Sequence, residues 1–267
     1  PEQVGFMPGK GCEDHVFTLL ETVKLSWKQG KPVYALFIDI SKAYDAVHPE
    51  ALWMVLRAAG VPEPIVALLS HWNASRTTCL SVNGEDSPPF PMTLGLGQGD
   101  PLSPLLYAIF SDSMTRFIRE AVPEYRGIHL RGTKHRIAVK ELKYADDSVF
   151  LAHSAEELQH VLNALQQWCD AWGTKLSIGT GKTEAMVFQS EEMKAAPRHT
   201  VHRRILRYAG AEVHWTESYR YLGLTLPANL DLAATWQRIL TRLAGTWSQY
   251  LSHTSVVTGS AASIHLQ

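Results

Sequence analysis

Six consecutive residues constrain this chain most. Val33 to Ile38 is almost wholly apolar and rich in strand formers, so it reads as a buried strand, and Asp39 stands where that strand ends. A carboxylate in such a place needs a partner. Farther along, Glu141 to Tyr144 and Ser148 to Ala152 alternate in strand fashion around Ala145-Asp146-Asp147. That pattern predicts two antiparallel strands with the acidic pair at or beside a tight turn. The acids then project from one end of a sheet. Adjacent strand residues face opposite sides, so Asp146 and Asp147 need not act alike.

The charges suggest the chemistry. Burying one unpaired carboxylate costs several kcal/mol or forces protonation, whereas a divalent cation held by hard oxygen ligands removes that penalty. Two ions roughly 3.5–4 Å apart can activate an attacking hydroxyl and steady a leaving pyrophosphate in an in-line phosphoryl transfer. An Asp-Asp pair in a hairpin is by itself an ordinary solvated turn. Its meaning here rests on its companions, with Asp39 and Asp146 first among the candidate ligands.

Those companions come in a definite order. Phe37-Ile38-Asp39-Ile40-Ser41-Lys42-Ala43-Tyr44-Asp45 is followed by Gly97-Gln98-Gly99-Asp100-Pro101-Leu102-Ser103-Pro104 and then by Tyr144-Ala145-Asp146-Asp147. Together they resemble the ordered palm motifs of reverse transcriptases, most closely the non-LTR (LINE-type) retrotransposon branch. Gln3-Val4-Gly5-Phe6 is similar to that branch's fingers segment, and Tyr219-Arg220-Tyr221-Leu222-Gly223 to its primer-grip turn. The resemblance runs over about residues 3 to 226 in the family's order, which is far more specific than any single motif.

The resemblance implies an α+β fold: a right-hand polymerase palm whose antiparallel sheet is backed by helices. Residues 1–32 would be partial fingers, 33–226 the palm and 227–267 the start of the thumb. It implies an RNA-directed DNA polymerase that extends a DNA primer on an RNA template with dNTPs, using two Mg2+ ions with Mn2+ as a possible substitute. Asp39, Ile40, Asp146 and Asp147 would hold the metal. Tyr44 would lie under the incoming sugar, its ring rejecting a ribose 2′-hydroxyl, while Gln98 and Gly99 would line the nucleotide. Lys182 resembles the palm lysine placed to give a proton to pyrophosphate; a solvated surface lysine is the equal alternative. The family usually carries asparagine where Gly179 stands, so the turn beside Lys182 is expected to differ.

The same residues admit other readings. Gly181-Lys182-Thr183 ends a phosphate-loop pattern, but Leu176 occupies the position that needs glycine, and the match fails. An RNA-directed RNA polymerase would share the acids without wanting an aromatic ring at Tyr44. A palm-like relic would bind nucleic acid without catalysis. Relative to the family, the upstream fingers, most of the thumb and the endonuclease region are missing, so the expectation is a fragment that does not work alone.

Composition supports these readings without deciding among them. With 267 residues, 45% of them hydrophobic, the chain can bury a substantial core. No apolar run reaches membrane-spanning length and no signal pattern opens the chain, so no membrane is expected as a partner. The three cysteines have no paired spacing, which fits a reducing intracellular setting, nucleus or cytoplasm. A formal net charge of −1 is low for a nucleic-acid enzyme. Local clusters offset it: Arg126, Arg131, Lys134, Arg136, Lys140 and Lys143 precede the acidic hairpin, and Arg203, Arg204 and Arg207 precede the primer-grip segment, both as candidate phosphate contacts.

Periodicity predicts the remaining elements. Val16, Leu19, Leu20 and Val23 mark a helix; 49–59, closed by Gly60, and 62–72 mark two more that buttress the sheet. Strands are expected over 76–82 and 90–94, separated by Asn83-Gly84 and a proline pair. Asp100 and Pro101 fit the cap and first position of a helix. Ser154 and Glu157 form a capping-box signal ahead of a helix that ends before Gly173. Residues 189–202 read as a loop, and a last helix is expected around Leu230 to Tyr250.

Overall fold

The computed structural model describes residues 9, 11–97, 99–131, 136–195 and 201–244. At its centre lies a five-stranded sheet. Its spatial order is Trp215–Thr216, Glu184–Phe188, Val33–Ile38, Asp147–Ala152 and Glu141–Tyr144. All pairs are antiparallel except the first, which is parallel. Every residue of the Val33–Ile38 strand is buried, as expected of the middle strand of a sheet covered on both faces.

The two faces divide the core by the strand's own alternation. Tyr34, Leu36 and Ile38 pack with helices α2 (Pro49–Ala58), α4 (Ser103–Ala121) and α5 (Ala155–Trp172). Val33, Ala35 and Phe37 pack with helix α1 (Cys12–Lys28) and a hairpin of Ser218–Tyr221 with Leu224–Pro227. Helix α1 turns Val16, Leu19 and Val23 inward along one stripe, and α5 does the same with Leu158, Val161, Leu162, Leu165 and Trp168. Each such buried side chain contributes about 1.5–3 kcal/mol from lost apolar exposure. The result is an α+β fold with a mostly antiparallel central sheet.

Several local expectations need correction. Helix α3 (Glu63–Ala74) does not buttress the sheet. It lies on α2 and buries only Val66, leaving Ile65, Leu68 and Trp72 exposed, because α2 already covers the sheet there. The 76–82 strand breaks into Thr77–Thr78, paired with Phe90–Pro91, and Ser81–Val82, paired with Glu85–Asp86; Asn83-Gly84 closes the second pair locally. Helix α4 begins at Ser103 rather than at Pro101. Asp100 Oδ1 instead accepts the Leu102 N–H at 2.9 Å and its carbonyl accepts the Ser103 N–H at 3.2 Å, an Asx-type turn ahead of the helix. A short helix, Glu191–Ala195, interrupts the 189–202 loop. The last helix is described over 233–244.

The α5 cap forms, with its reciprocal half shifted. Ser154 Oγ accepts the Glu157 N–H at 3.2 Å. Glu157 reaches back one residue farther, accepting the His153 N–H at 3.0 Å and the N–H of Arg126 at 2.7 Å. One carboxylate thus fastens the α5 start to the segment that follows α4.

Candidate active site

The acid turn is as tight as its sequence suggests. Glu141–Tyr144 and Asp147–Ala152 pair in the register Tyr144 with Asp147, so Ala145 and Asp146 are the two loop residues and Asp147 opens the second strand. Ala145 takes φ +57°, the left-handed region that two-residue hairpin loops demand. On its other side this strand pairs with Val33–Ile38, and the ladder ends at Ile38 with Ser148. Continued one step, that register sets Asp39 across from Asp147; continued two, it sets Ile40 across from Asp146.

Alternation then sorts the acids by face. Phe37 and Val149 belong to the α1 side of the core, so Asp39 and Asp147, two residues along each strand, lean the same way, toward Tyr219 and Tyr221. Burial first, and then the Asp147 and Asp39 carboxylates, push the Tyr219 phenol up. Asp146 lies on the opposite side. The Tyr44 phenol is raised by burial and then by Asp146, and Tyr107, stacked on Tyr44 with ring centroids 4.6 Å apart, is raised well above its ordinary value by the same two causes in the same order.

The three carboxylates are within electrostatic reach of one another. Desolvation first, then Asp146 and Asp39, push the Asp147 carboxyl up to about 6, with Lys182 opposing. Lys182 Nζ lies 3.2 Å from Asp39 Oδ1 in a half-exposed ion pair. Among the described residues no group of three or more His, Cys, Asp or Glu side chains is gathered tightly enough to hold a metal ion. As a donor set, three carboxylates offer the hard oxygens that suit Mg2+ or Mn2+, and a shared cation would relieve the crowding at Asp147.

The surroundings of Asp39 are well fixed. Its N–H donates to Thr183 Oγ1 at 3.1 Å and its carbonyl accepts the Ser177 N–H at 2.8 Å. Ile40 is buried and bridges Leu176. The Tyr219 hydroxyl donates to the Lys182 carbonyl at 2.7 Å, and its ring stacks on Phe37 with centroids 4.1 Å apart. Tyr219 therefore supports the lysine that pairs with Asp39. Gly179 sits at φ +146°, a conformation open to glycine and closed to asparagine, which accounts for glycine at that position.

The glycine loop closes the other side. Leu96 N–H donates to the Tyr44 carbonyl at 2.9 Å and Gly95 N–H to the Val47 carbonyl at 2.9 Å, so the loop is bonded to the segment bearing Tyr44. A Cβ on Gly95 would stand 2.8 Å from Asp45 Cα. One on Gly97 would stand 1.9 Å from a terminal nitrogen of Arg76, whose guanidinium also lies 5.2 Å from the Trp72 ring centroid. Gly99 has φ +84°. Gln98 and the Gln3-Val4-Gly5-Phe6 segment lie outside the described residues.

Sequence reasoning missed Arg76, Tyr107 and Thr183. The four-residue step from Trp72 to Arg76 was the available signal for the first; Tyr107 and Thr183 act through contacts distant in sequence. It also misplaced several cations. Lys143 is fully buried and cannot meet a phosphate, because its strand edge packs on α4. Arg203 pairs with Glu217 and Arg204 with Glu156 in solvent-exposed ion pairs, so both reach the surface with an acid beside them. Arg126 and Lys140 remain on or near the surface, with Lys140 Nζ 5.6 Å from the Tyr125 ring centroid. Lys134 and the side chains of Arg131 and Arg136 lie outside the described residues.

A mostly antiparallel sheet with one acid just past its central strand and two at the adjoining turn is the arrangement of a polymerase palm, and comparison with known proteins agrees on the fold. Residues 1–226 match the family described as reverse transcriptase (RNA-dependent DNA polymerase). The chain belongs to that family. Among its relatives are the Pol polyprotein of the retrotransposable element R2DM of Drosophila melanogaster, 27% identical over 233 residues, and the RNA-directed DNA polymerase from mobile element jockey of the same species, 24% identical over 248. These alignments cover 85% and 90% of this chain but only 21% and 24% of the relatives. Its fold is similar to that of apo telomerase from Candida tropicalis, with a TM-score of 0.56 at 14% identity over 86% of this chain and 40% of that one.

Proposed function

We propose that the chain is the catalytic centre of a retrotransposon RNA-directed DNA polymerase, adding dNTPs to a DNA primer 3′-hydroxyl on an RNA template. The observation that carries this reading is the shared register that brings Asp39 and the Asp146-Asp147 turn to one sheet end, with Tyr44 beside Asp146. Asp39, Asp146, Asp147 and the main-chain carbonyl of Ile40 would hold two Mg2+ ions, or Mn2+ in their place. Bound there, the ions would activate the attacking hydroxyl and neutralise charge on the leaving pyrophosphate. The chain's own residues do the rest. Tyr44, braced by Tyr107, excludes a 2′-hydroxyl, and that favours dNTPs over the NTPs of an RNA polymerase. Gln98 and Gly99 line the nucleotide, and Lys182, released from Asp39, gives a proton to pyrophosphate.

The same reading divides the chain into partial fingers at 1–32, palm at 33–226 and the start of a thumb at 227–267. The division is supported by the sheet, whose five strands lie within the middle segment, although the second core also takes in α1 from before it and Ala228, Leu230 and Leu232 from after it. Further fingers, thumb and endonuclease regions would belong to a longer polyprotein working inside the cell, in nucleus or cytoplasm. A second Candida tropicalis telomerase structure, with a TM-score of 0.53, is described as a complex with a fragment of telomeric RNA, and an RNA partner is proposed here by analogy. Primer extension on an RNA template in Mg2+ by the full-length protein tests the reading. Asp146→Asn is expected to abolish extension, and unchanged synthesis by that variant would overturn the metal assignment.

A further inference from the structure

Lys143 enters the acid turn from inside the protein. It directly precedes Tyr144-Ala145-Asp146-Asp147 and is fully buried. Its ammonium donates to the main-chain carbonyl of Ser111 and, at 3.1 Å, to Thr115 Oγ1. Both acceptors lie on α4, one turn apart. One turn before them on the same buried row stands Tyr107, whose ring stacks on Tyr44 at an interplanar angle of 23°. Positions four apart share a helix face, and two turns span about 11 Å. A single rigid helix therefore carries the platform under Tyr44 and the socket for the lysine that leads into the acids.

Folding alone gives little reason for a cation there. A buried ammonium loses its hydration, and an apolar side chain of similar volume fills such a place at equal or lower cost. What a lysine supplies and methionine does not is a directed, charge-assisted bond to α4. That bond fixes how far the acid turn stands from the row that begins at Tyr107.

We propose that Lys143 is a positioning residue for sugar selection: by tying the acid turn to α4 it fixes the separation of Asp146 from the Tyr44 ring, and with it the clearance left for a ribose 2′-hydroxyl. This inference rests on the reading of Tyr44 as the sugar gate. Steric exclusion by a ring works only while the nucleotide cannot slide away from it, and displacements near 1 Å already matter at such sites. The nucleotide's phosphates are referenced to the carboxylates and its sugar to Tyr44. A loosened acid turn lets the sugar escape the ring without any change in Tyr44 itself.

The test compares dATP with ATP binding to the full-length protein by calorimetry in Ca2+, so that no turnover is needed, for wild type, Tyr44→Ala, Lys143→Met and the double variant. Wild type is expected to prefer dATP, and Tyr44→Ala to level that preference. Lys143→Met should lower it on the order of five-fold, with a melting temperature equal to or above wild type. The double variant should lose no more than Tyr44→Ala alone. Lys143→Gln, which still donates to the Ser111 carbonyl, should fall between wild type and Met, and replaces Lys143→Met if that variant does not fold. A preference kept by Lys143→Met but lost by Tyr44→Ala overturns this proposal and leaves the gate standing. A preference kept by Tyr44→Ala removes the gate and the proposal with it. A further loss in the double variant shows that Lys143 acts by another route and also overturns it.

Discussion

Two hairpins with two-residue loops and a left-handed first loop residue differ in how firmly they are held. Asn83-Gly84 carries the strongest turn chemistry in the chain, with φ of +55° and +86°, yet the strands it joins are two residues each and wholly exposed. Ala145-Asp146 has weaker turn chemistry, with Ala145 at +57°, yet its strands run into the central sheet, where Val149, Phe150 and Leu151 are completely buried. Turn residues specify a reversal of the chain. They do not specify a place. The acid turn has a place because its flanking strands are held from both faces and because Lys143 ties it to α4.

The largest expected contrast is in stability. Val149→Asp buries an unpaired charge and should cost more than about 4 kcal/mol, enough to unfold the chain, while Val82→Asp at the exposed hairpin should stay within about 0.5 kcal/mol. Chemical denaturation measures both, and similar costs would erase the distinction between the hairpins. A smaller effect of opposite sign follows from the backbone. Ala145→Gly relieves a left-handed alanine and should change stability by about +0.5 to +1 kcal/mol, whereas Gly84→Ala at φ +86° should lose about 1 kcal/mol. If both substitutions destabilised alike, the turn at Ala145 would not be strained.

The smallest effect is electrostatic. Asp147 binds its proton more tightly in the fold, near pH 6, than at its ordinary value of 3.8. The native state therefore holds more protons than the unfolded chain between those values, and stability should fall as pH rises from about 4 to about 6, then level off. Solvent contact at Asp147 screens the repulsion, so the melting temperature should move on the order of 2 °C. Asp147→Asn should flatten the slope, and Mg2+ should flatten it in the native chain. A slope that survives both would place its origin elsewhere.

Much of this was legible beforehand because it depends on local pattern. The all-apolar Val33–Ile38 run, the period of α5 and the alternation around Asp146 each name an element without knowledge of its neighbours. The misreadings share one cause. Lys143 looks like any surface lysine in a basic run, and the inward face of its strand is set by register against Ser148 rather than by its own chemistry. Arg203 and Arg204 look free until Glu217 and Glu156 arrive from distant segments. Residues 63–74 have helical spacing, but only the position of α2 decides that their apolar side faces outward.

The sequence by itself determined the central strand, the acid hairpin, the main helices, and the acids and their order, because periodicity and turn chemistry act over a few residues. Tertiary structure alone decided which acid shares a face with which, that Lys182 meets Asp39, that Tyr107 braces Tyr44 and that Lys143 points inward. Those relations join residues up to 143 positions apart. They are fixed by strand register and helix packing, which no local stretch of sequence contains.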